Sequence, residues 1–326
     1  KKSKQVKITA VDILYTNMVK KIKVKAPATT ANLGAGYDVF GLALDGPKDV
    51  MKIEKSRKLE IKVRGRSSEK IPEAVEKNSA GIVAKKLGKN VKIKIHKNIP
   101  PGSGLGSSAA SAAGAAVGIK ELFDLRYTKK ELVDIAAEGE RAAAGEKHYD
   151  NVAPAILGNF CIIDVGLEST KNKNENIDDK IISMDVPDFG FIVVLPKISN
   201  NTKEARKVVP EKISIEKVKK NIFYASSLVT GILKNDEKLF GKGLNDEIVQ
   251  PQRSKRLKGF KKAREAALNV GAYGCTLSGS GPAMLAVGPD REKIGEVMKR
   301  AFKNEGVGAE IFYSSPGKGV EICSSP

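Results

Sequence analysis

Pro100-Pro101-Gly102-Ser103-Gly104-Leu105-Gly106-Ser107-Ser108-Ala109 stands between a segment that alternates apolar and polar residues, Val91-Lys92-Ile93-Lys94-Ile95, and an Ala-rich segment running to about Phe123. Alternation at period two reads as a half-buried strand and the Ala-rich run as a helix, so the ten residues form a strand-to-helix turn. Three glycines let the backbone approach a ligand and aim successive N–H groups at it, and the positive end of the following helix favours bound phosphate. Ser107 and Ser108 fall at the helix start, where one hydroxyl can cap and the other can reach a phosphate oxygen or a magnesium ion. No Gly-Lys-Ser/Thr ending follows, which excludes a Walker loop, and the glycine spacing is not that of the dinucleotide fingerprint. A plain Gly-rich turn before a capped helix is the bland alternative, and it leaves the length of the string unexplained.

Outward from this turn, Ile22-Lys23-Val24-Lys25-Ala26 alternates as a strand and runs into a loop over 27–36. Short strands are expected at 51–54 and 59–63, a helix at 79–87, and a second helix over 128–144 that opens on a capping box, Thr128-Lys129-Lys130-Glu131. Residues 171–180 are polar and read as a connection. Beyond it come a continuous apolar strand at 189–195, helices at 218–233 and 260–269, and a Gly-rich hairpin at 274–287. Strands and helices mix without a βαβ rhythm, which points to α+β rather than a doubly wound sheet. The division follows as an N-terminal extension or appended remnant at 1–20, with Met18 as a natural start, a first domain at 21–175 and a second at 176–326.

The chain has 326 residues and 41% hydrophobic content, enough for one large core or two ordinary ones. Three cysteines without C-x-x-C spacing exclude a disulfide framework or zinc site and fit a reducing cytosol. No apolar run of membrane length and no signal-peptide pattern occurs, so a soluble, cytoplasmic protein is expected, without a membrane partner. The formal charge of +19 is spread along the chain with few aromatics and no Trp, so specific nucleic-acid binding is not expected.

The ten-residue turn resembles the second motif of the GHMP kinases, small-molecule kinases that use ATP. Ala26-Pro27-Ala28-Thr29-Thr30-Ala31-Asn32-Leu33-Gly34-Ala35-Gly36-Tyr37-Asp38 resembles their first motif and Leu277-Ser278-Gly279-Ser280-Gly281-Pro282 their third, a loop that in the family lies against the phosphate loop and the substrate. The resemblance covers most of the chain from about Lys21. It implies two α+β domains, one like the second domain of ribosomal protein S5 and one ferredoxin-like, with the site between them. It also implies ATP bound along Pro101, Gly102, Ser103, Gly104, Leu105, Gly106, Ser107 and Ser108, with Lys97 a nucleotide contact and Asn78 at the base.

Within the superfamily, the string from Asn32 to Asp38 is similar to the branch that phosphorylates homoserine, as are the segments 145–154, 201–206 and 245–253. No lysine stands at Ala28-Thr29-Thr30, which counts against mevalonate. An amino-acid substrate needs a carboxylate for its ammonium group and guanidinium forks for its carboxylate; Asp38, Arg206 and Arg253 supply these types. By resemblance Asn32, His148, Thr202 and Gly279 complete the pocket, and Ser108 with Glu140 holds Mg2+, leaving Glu138 a surface residue. The position of the family's catalytic aspartate holds Asn151, which cannot remove a proton, and Asp150 is expected to point elsewhere. Catalysis is therefore expected to rest on in-line positioning and charge neutralisation. His96 is expected to face solvent. The rival readings are another GHMP kinase, of the shikimate or mevalonate pathway, and a non-catalytic nucleotide or nucleic-acid binder. A homodimer is left open.

Overall fold

The computed structural model describes residues 21–164, 166, 180–198 and 202–323, with the side chains of 142–144, 202 and 203 left out. The expected extension at 1–20 and most of the polar connection at 171–180 lie outside these residues. In chain order the strands are β1 (Lys21–Ala31), β2 (Phe40–Lys55), β3 (Glu60–Gly65), β4 (Val91–Lys97), β5 (Phe160–Ile163), β6 (Ile181–Met184), β7 (Phe191–Pro196), β8 (Gly274–Leu277), β9 (Met284–Val287), β10 (Ala309–Ser314) and β11 (Glu321–Cys323). The helices are α1 (Ser79–Lys86), α2 (Ser107–Leu122), α3 (Lys129–Ala144), α4 (Tyr149–Leu157), α5 (Thr202–Lys207), α6 (Ile215–Lys234), α7 (Glu237–Gly243), α8 (Gln250–Ser254), α9 (Phe260–Asn269) and α10 (Arg291–Asn304).

Two sheets organise the molecule, which is the expected α+β class. The first has the order β11-β1-β2-β4-β3, with β5 paired to β2 and β6 to β5. The second is antiparallel, β10-β7-β9-β8. Two strands from beyond residue 176, β6 and β11, complete the first sheet, so a division at 175/176 leaves them on its far side.

β1 does not stop at Ala26. After an irregularity between Pro27 and Thr29 it continues as Thr29, Thr30 and Ala31 opposite Ala43, Leu42 and Gly41, so half of the expected loop is strand. Here every residue is buried, and the alternation that marks a half-buried strand disappears. The capping box of α3 forms as expected, with the Thr128 hydroxyl accepting from the Glu131 amide and the Glu131 carboxylate from the Thr128 amide, a feature worth about 1 kcal/mol.

α2 is built of Ala, Gly and Ser because it lies flat on the first sheet: a Cβ at Gly114 would meet the Met51 side chain at 2.4 Å. The continuous apolar run of β7 also has a cause. Phe191 and Val193 face the large core shared with the first sheet, while Ile192 and Val194 face a smaller core under α9 and α10.

Candidate active site

A cleft of about 340 Å³ opens where the three glycine-bearing segments meet. Its floor is the phosphate loop. Gly102, Gly104 and Gly106 all have positive φ, at 68°, 81° and 64°, a conformation that costs other residues strain. A Cβ on Gly104 would lie 2.4 Å from the Ser278 carbonyl oxygen. The third motif packs there by hydrogen bonds as well: the Ser278 hydroxyl donates to the Gly104 carbonyl at 2.7 Å and the Ala283 amide to the Ser103 carbonyl at 3.0 Å. The first motif joins them through the Gly279 amide, which donates to the Ala31 carbonyl at 3.0 Å.

Neither serine caps α2. Its N-cap is Gly106, without a side-chain hydrogen bond, and the Ser107 hydroxyl instead donates to the Ile99 carbonyl at 2.9 Å. The amides of the first turn thus have no side-chain acceptor and remain for an anion. Ser108 lines the cleft, while Leu105 is completely buried, does not line it, and accepts from the Thr29 amide through its carbonyl at 3.1 Å.

Lys97 differs from its expected role. Its buried ammonium pairs with Asp49 and donates to the Ser107 carbonyl at 2.8 Å and the Ser111 hydroxyl at 3.0 Å. Three N–H groups meet three acceptors, so none is left for a nucleotide, and Lys97 braces the loop from beneath. Burial lowers its pKa and Asp49 opposes that. Asn78 caps α1, with its oxygen accepting from the Ala80 and Gly81 amides and its amide donating to the Pro72 carbonyl at 2.8 Å. One amide hydrogen remains, and the residue lines the cleft.

Glu140 lies at the cleft, buried, with its Oε2 3.3 Å from His148 Nδ1 and its Oε1 without a hydrogen-bond partner among the described residues. An unpartnered buried carboxylate oxygen is costly unless something cationic meets it. One carboxylate beside one hydroxyl suits magnesium, which keeps several waters and binds through phosphates. No group of three or more His, Cys, Asp or Glu able to hold a metal occurs among the described residues. Burial acts against a charged His148, but Glu140 and Asp150 outweigh it and bring its pKa up to about 8. Glu138 lies apart in surface ion pairs with Arg141 at 3.0 Å and Lys147 at 2.9 Å.

The other end of the cleft holds paired charges. Arg206 binds Asp38 through NH1 at 3.0 Å and NH2 at 3.5 Å, and its Nε meets Glu146 at 2.6 Å. Arg253 donates to the Ala205 carbonyl at 3.1 Å and the Gly279 carbonyl at 3.2 Å. The Tyr37 ring lies 4.8 Å from the Arg253 guanidinium and 5.9 Å from that of Arg206. Asn32 ties the segment together, donating to the Gly279 carbonyl at 2.9 Å and accepting from the Asp38 amide at 3.0 Å. Asn32, Leu33 and Asp38 have φ of 68°, 47° and 57°, and such non-glycine strain gathers at functional sites. The side chain of Thr202 lies outside the described residues.

Asn151 is fixed at both ends of its amide, accepting from the Thr29 hydroxyl at 2.8 Å and donating to Asp150 at 3.2 Å. Asp150 corrects the sequence reading, because it is buried and lines the cleft with Asp38, His148 and Arg206. Tyr37 and Glu146 were also missed. Tyr37 sits inside the first motif, where its position between two arginines distant in sequence has no local signal.

Two family models match the chain, the GHMP kinases N terminal domain over residues 73–159 and the GHMP kinases C terminal over 228–307. The homoserine kinase of Methanocella arvoryzae is 45% identical over 305 residues, 93% of this chain and 97% of that protein. That of Methanococcus vannielii is 41% identical over 313 residues, covering 93% and 99%. Among solved structures, homoserine kinase from Cytophaga hutchinsonii aligns with a TM-score of 0.83 at 32% identity, covering 98% of this chain and 100% of that one. An L. major mevalonate kinase in complex with R-mevalonate shares the fold at a TM-score of 0.69 and 14% identity, covering 92% and 98%.

Proposed function

We infer the chemistry of the cleft from a fixed premise: the chain belongs to the homoserine kinases of the GHMP kinase superfamily. It is an ATP-dependent kinase that transfers the γ-phosphoryl group of ATP to the side-chain hydroxyl of L-homoserine, giving O-phospho-L-homoserine, ADP and a proton. We assign the reaction to threonine biosynthesis in the cytoplasm.

The Asp38–Arg206 pair carries the substrate assignment. An α-amino acid is a zwitterion, and its ammonium can replace the guanidinium at Asp38 while its carboxylate replaces Asp38 at Arg206, with Arg253 as a second fork. The exchange leaves neither Asp38 nor Arg206 unpaired, which a mevalonate or shikimate carboxylate alone does not achieve. Asn32 and Gly279 frame the pocket, and His148 faces the hydroxyl.

The loop amides and the N-terminus of α2 receive the phosphates, with Asn78 beside the nucleotide base. Glu140 and Ser108 would hold magnesium, which when bound neutralises charge on the β- and γ-phosphates. Asn151, locked by Thr29 and Asp150, orients the hydroxyl for in-line attack, and the γ-phosphate takes the proton. Phosphoryl transfer allows this, because its transition state asks more for position and charge compensation than for a base. A homodimer is supported by the exposed apolar side chains Ile215, Ile222 and Leu233 on α6.

The test is ATP consumption with magnesium in the presence of homoserine, mevalonate, shikimate or no acceptor, for the wild type, Asp38→Ala and Arg206→Ala. Turnover with homoserine alone, lost in both variants, is expected. Turnover only with another alcohol would retain the phosphate loop and discard the amino-acid pocket.

A further inference from the structure

The outer face of the first sheet, opposite the side on which α2 packs, carries a row of lysines. Exposed positions of β1, β2, β4 and β3 align across the strands as Lys23, Lys52, Lys94 and Lys62. The row on one side adds Lys25, His96 and Arg64 around the half-buried Val50, and the row on the other reads Lys21, Glu54, Lys92 and Glu60. Four carboxylates answer part of this charge: Glu73 at 2.9 Å from Lys62, Glu54 at 3.7 Å from Lys94, Glu60 at 3.7 Å from Lys92, and Glu321 of β11, which stands opposite Lys25 and pairs with Lys48. Among the described residues Lys23, Lys25, Lys52 and Arg64 form no ion pair.

Like charges directly opposite one another on neighbouring strands destabilise a sheet, by an amount on the scale of 0.2–1 kcal/mol that opposite pairs contribute, so the row stands against the fold's own stability. The lysines come from four separate segments, each an ordinary alternating strand, and pairing alone brings them together.

We propose that this face is a docking surface for the phosphodiester backbone of duplex nucleic acid, bound without reading the bases. Strands about 4.8 Å apart spread the row over about 14 Å, a length along which a duplex presents about eight phosphate charges. No Phe, Tyr or Trp stands in these three rows, and His96 is their single aromatic ring, so the face offers no platform on which successive unpaired bases could stack. No exposed apolar side chain stands among the cations either, which disfavours an anionic bilayer, whose amphipathic ligands bury apolar groups. Binding here is independent of the kinase reading, since the face lies away from the cleft.

The experiment measures the affinity of a 20-base-pair duplex of arbitrary sequence against salt, from 50 to 200 mM. It compares the wild type, a face variant (Lys23→Gln, Lys52→Gln, Lys94→Gln) and a control (Lys212→Gln, Lys234→Gln, Lys303→Gln) with the same loss of charge at scattered exposed sites. The wild type is expected to lose roughly 10²-fold or more in affinity over that range, and the face variant to show a log–log slope shallower by about three, one per phosphate contact removed. The control should retain the wild-type slope, and all three proteins should turn over homoserine equally. Equal losses in both variants would overturn the proposal in favour of diffuse surface charge. No binding at 50 mM would also overturn it, as would binding to vesicles of anionic lipid without binding to the duplex.

Discussion

Burial raises the pKa of the Asp150 carboxyl from 3.8 to about 6, with His148 and Arg206 opposing and Asp38 adding to the rise. Because the folded value lies above the unfolded one, the protonated group favours the fold below about pH 4 and that contribution is lost as pH rises through about 6. The difference is worth about 3 kcal/mol at neutral pH. Asp150→Asn is therefore expected to unfold at higher denaturant than the wild type at pH 7.5, with the gain shrinking toward zero at pH 4. A variant no more stable at pH 7.5 would show that neighbouring cations already compensate the charge. Tyr37 lends itself to kinetics. Its ring faces both guanidinium groups, each such contact being worth about 0.5–2 kcal/mol, so Tyr37→Ala should raise the KM for homoserine roughly tenfold while Tyr37→Phe stays near wild type. If Tyr37→Ala lowers kcat and leaves KM alone, the ring acts on the chemical step rather than on the carboxylate forks.

The phosphate loop was legible in the sequence as an element, because glycines at sites of positive φ leave a direct signature, the strand before it alternates cleanly and the helix after it is Ala-rich. Its brace was not. Asp49 immediately precedes the part of β2 that pairs with the phosphate-loop strand, and nothing in its local pattern says that it receives Lys97 together with the amides of Asn98 and Ile99. Removing one partner of a buried pair strands the other, at a cost of about 3–5 kcal/mol. Asp49→Ala should accordingly lower stability by that amount in chemical unfolding and raise the KM for ATP more than that for homoserine, since Lys97 holds the Ser107 carbonyl at the helix start. A loss of stability with both KM values unchanged would make the brace structural only. Several further elements escaped sequence reading, among them β5, β6, α10, β10 and β11, and in two other places the physical reason is plain. The second half of β1 is buried throughout and loses its alternation, and α4 carries Pro154, which reads as a breaker although it sits inside the helix.

At the scale of the whole molecule, beside the hydrogen bonds and ion pairs of the cleft, a returning strand and a shared apolar core join the halves, and the magnitudes of these two decide how the chain unfolds. The strand β11 returns from the C-terminal half to pair with β1 at three positions, and Gly317 exchanges hydrogen bonds with Ala43 and Asn159. Each such bond contributes about 1 kcal/mol net. The apolar core, by contrast, runs without a break from β1 and β2 through Phe189, Phe191, Phe240, Leu244 and Leu285 of the second half. Each such side chain contributes about 1.5–3 kcal/mol, so the shared core outweighs the returning strand. The full chain and a chain ending at Ser314 are therefore both expected to unfold in a single calorimetric transition, with the midpoint of the shortened chain lowered by roughly 5 °C or more. Two separate transitions in the shortened chain would mean that β11 and its turn, rather than the core, couple the two sheets.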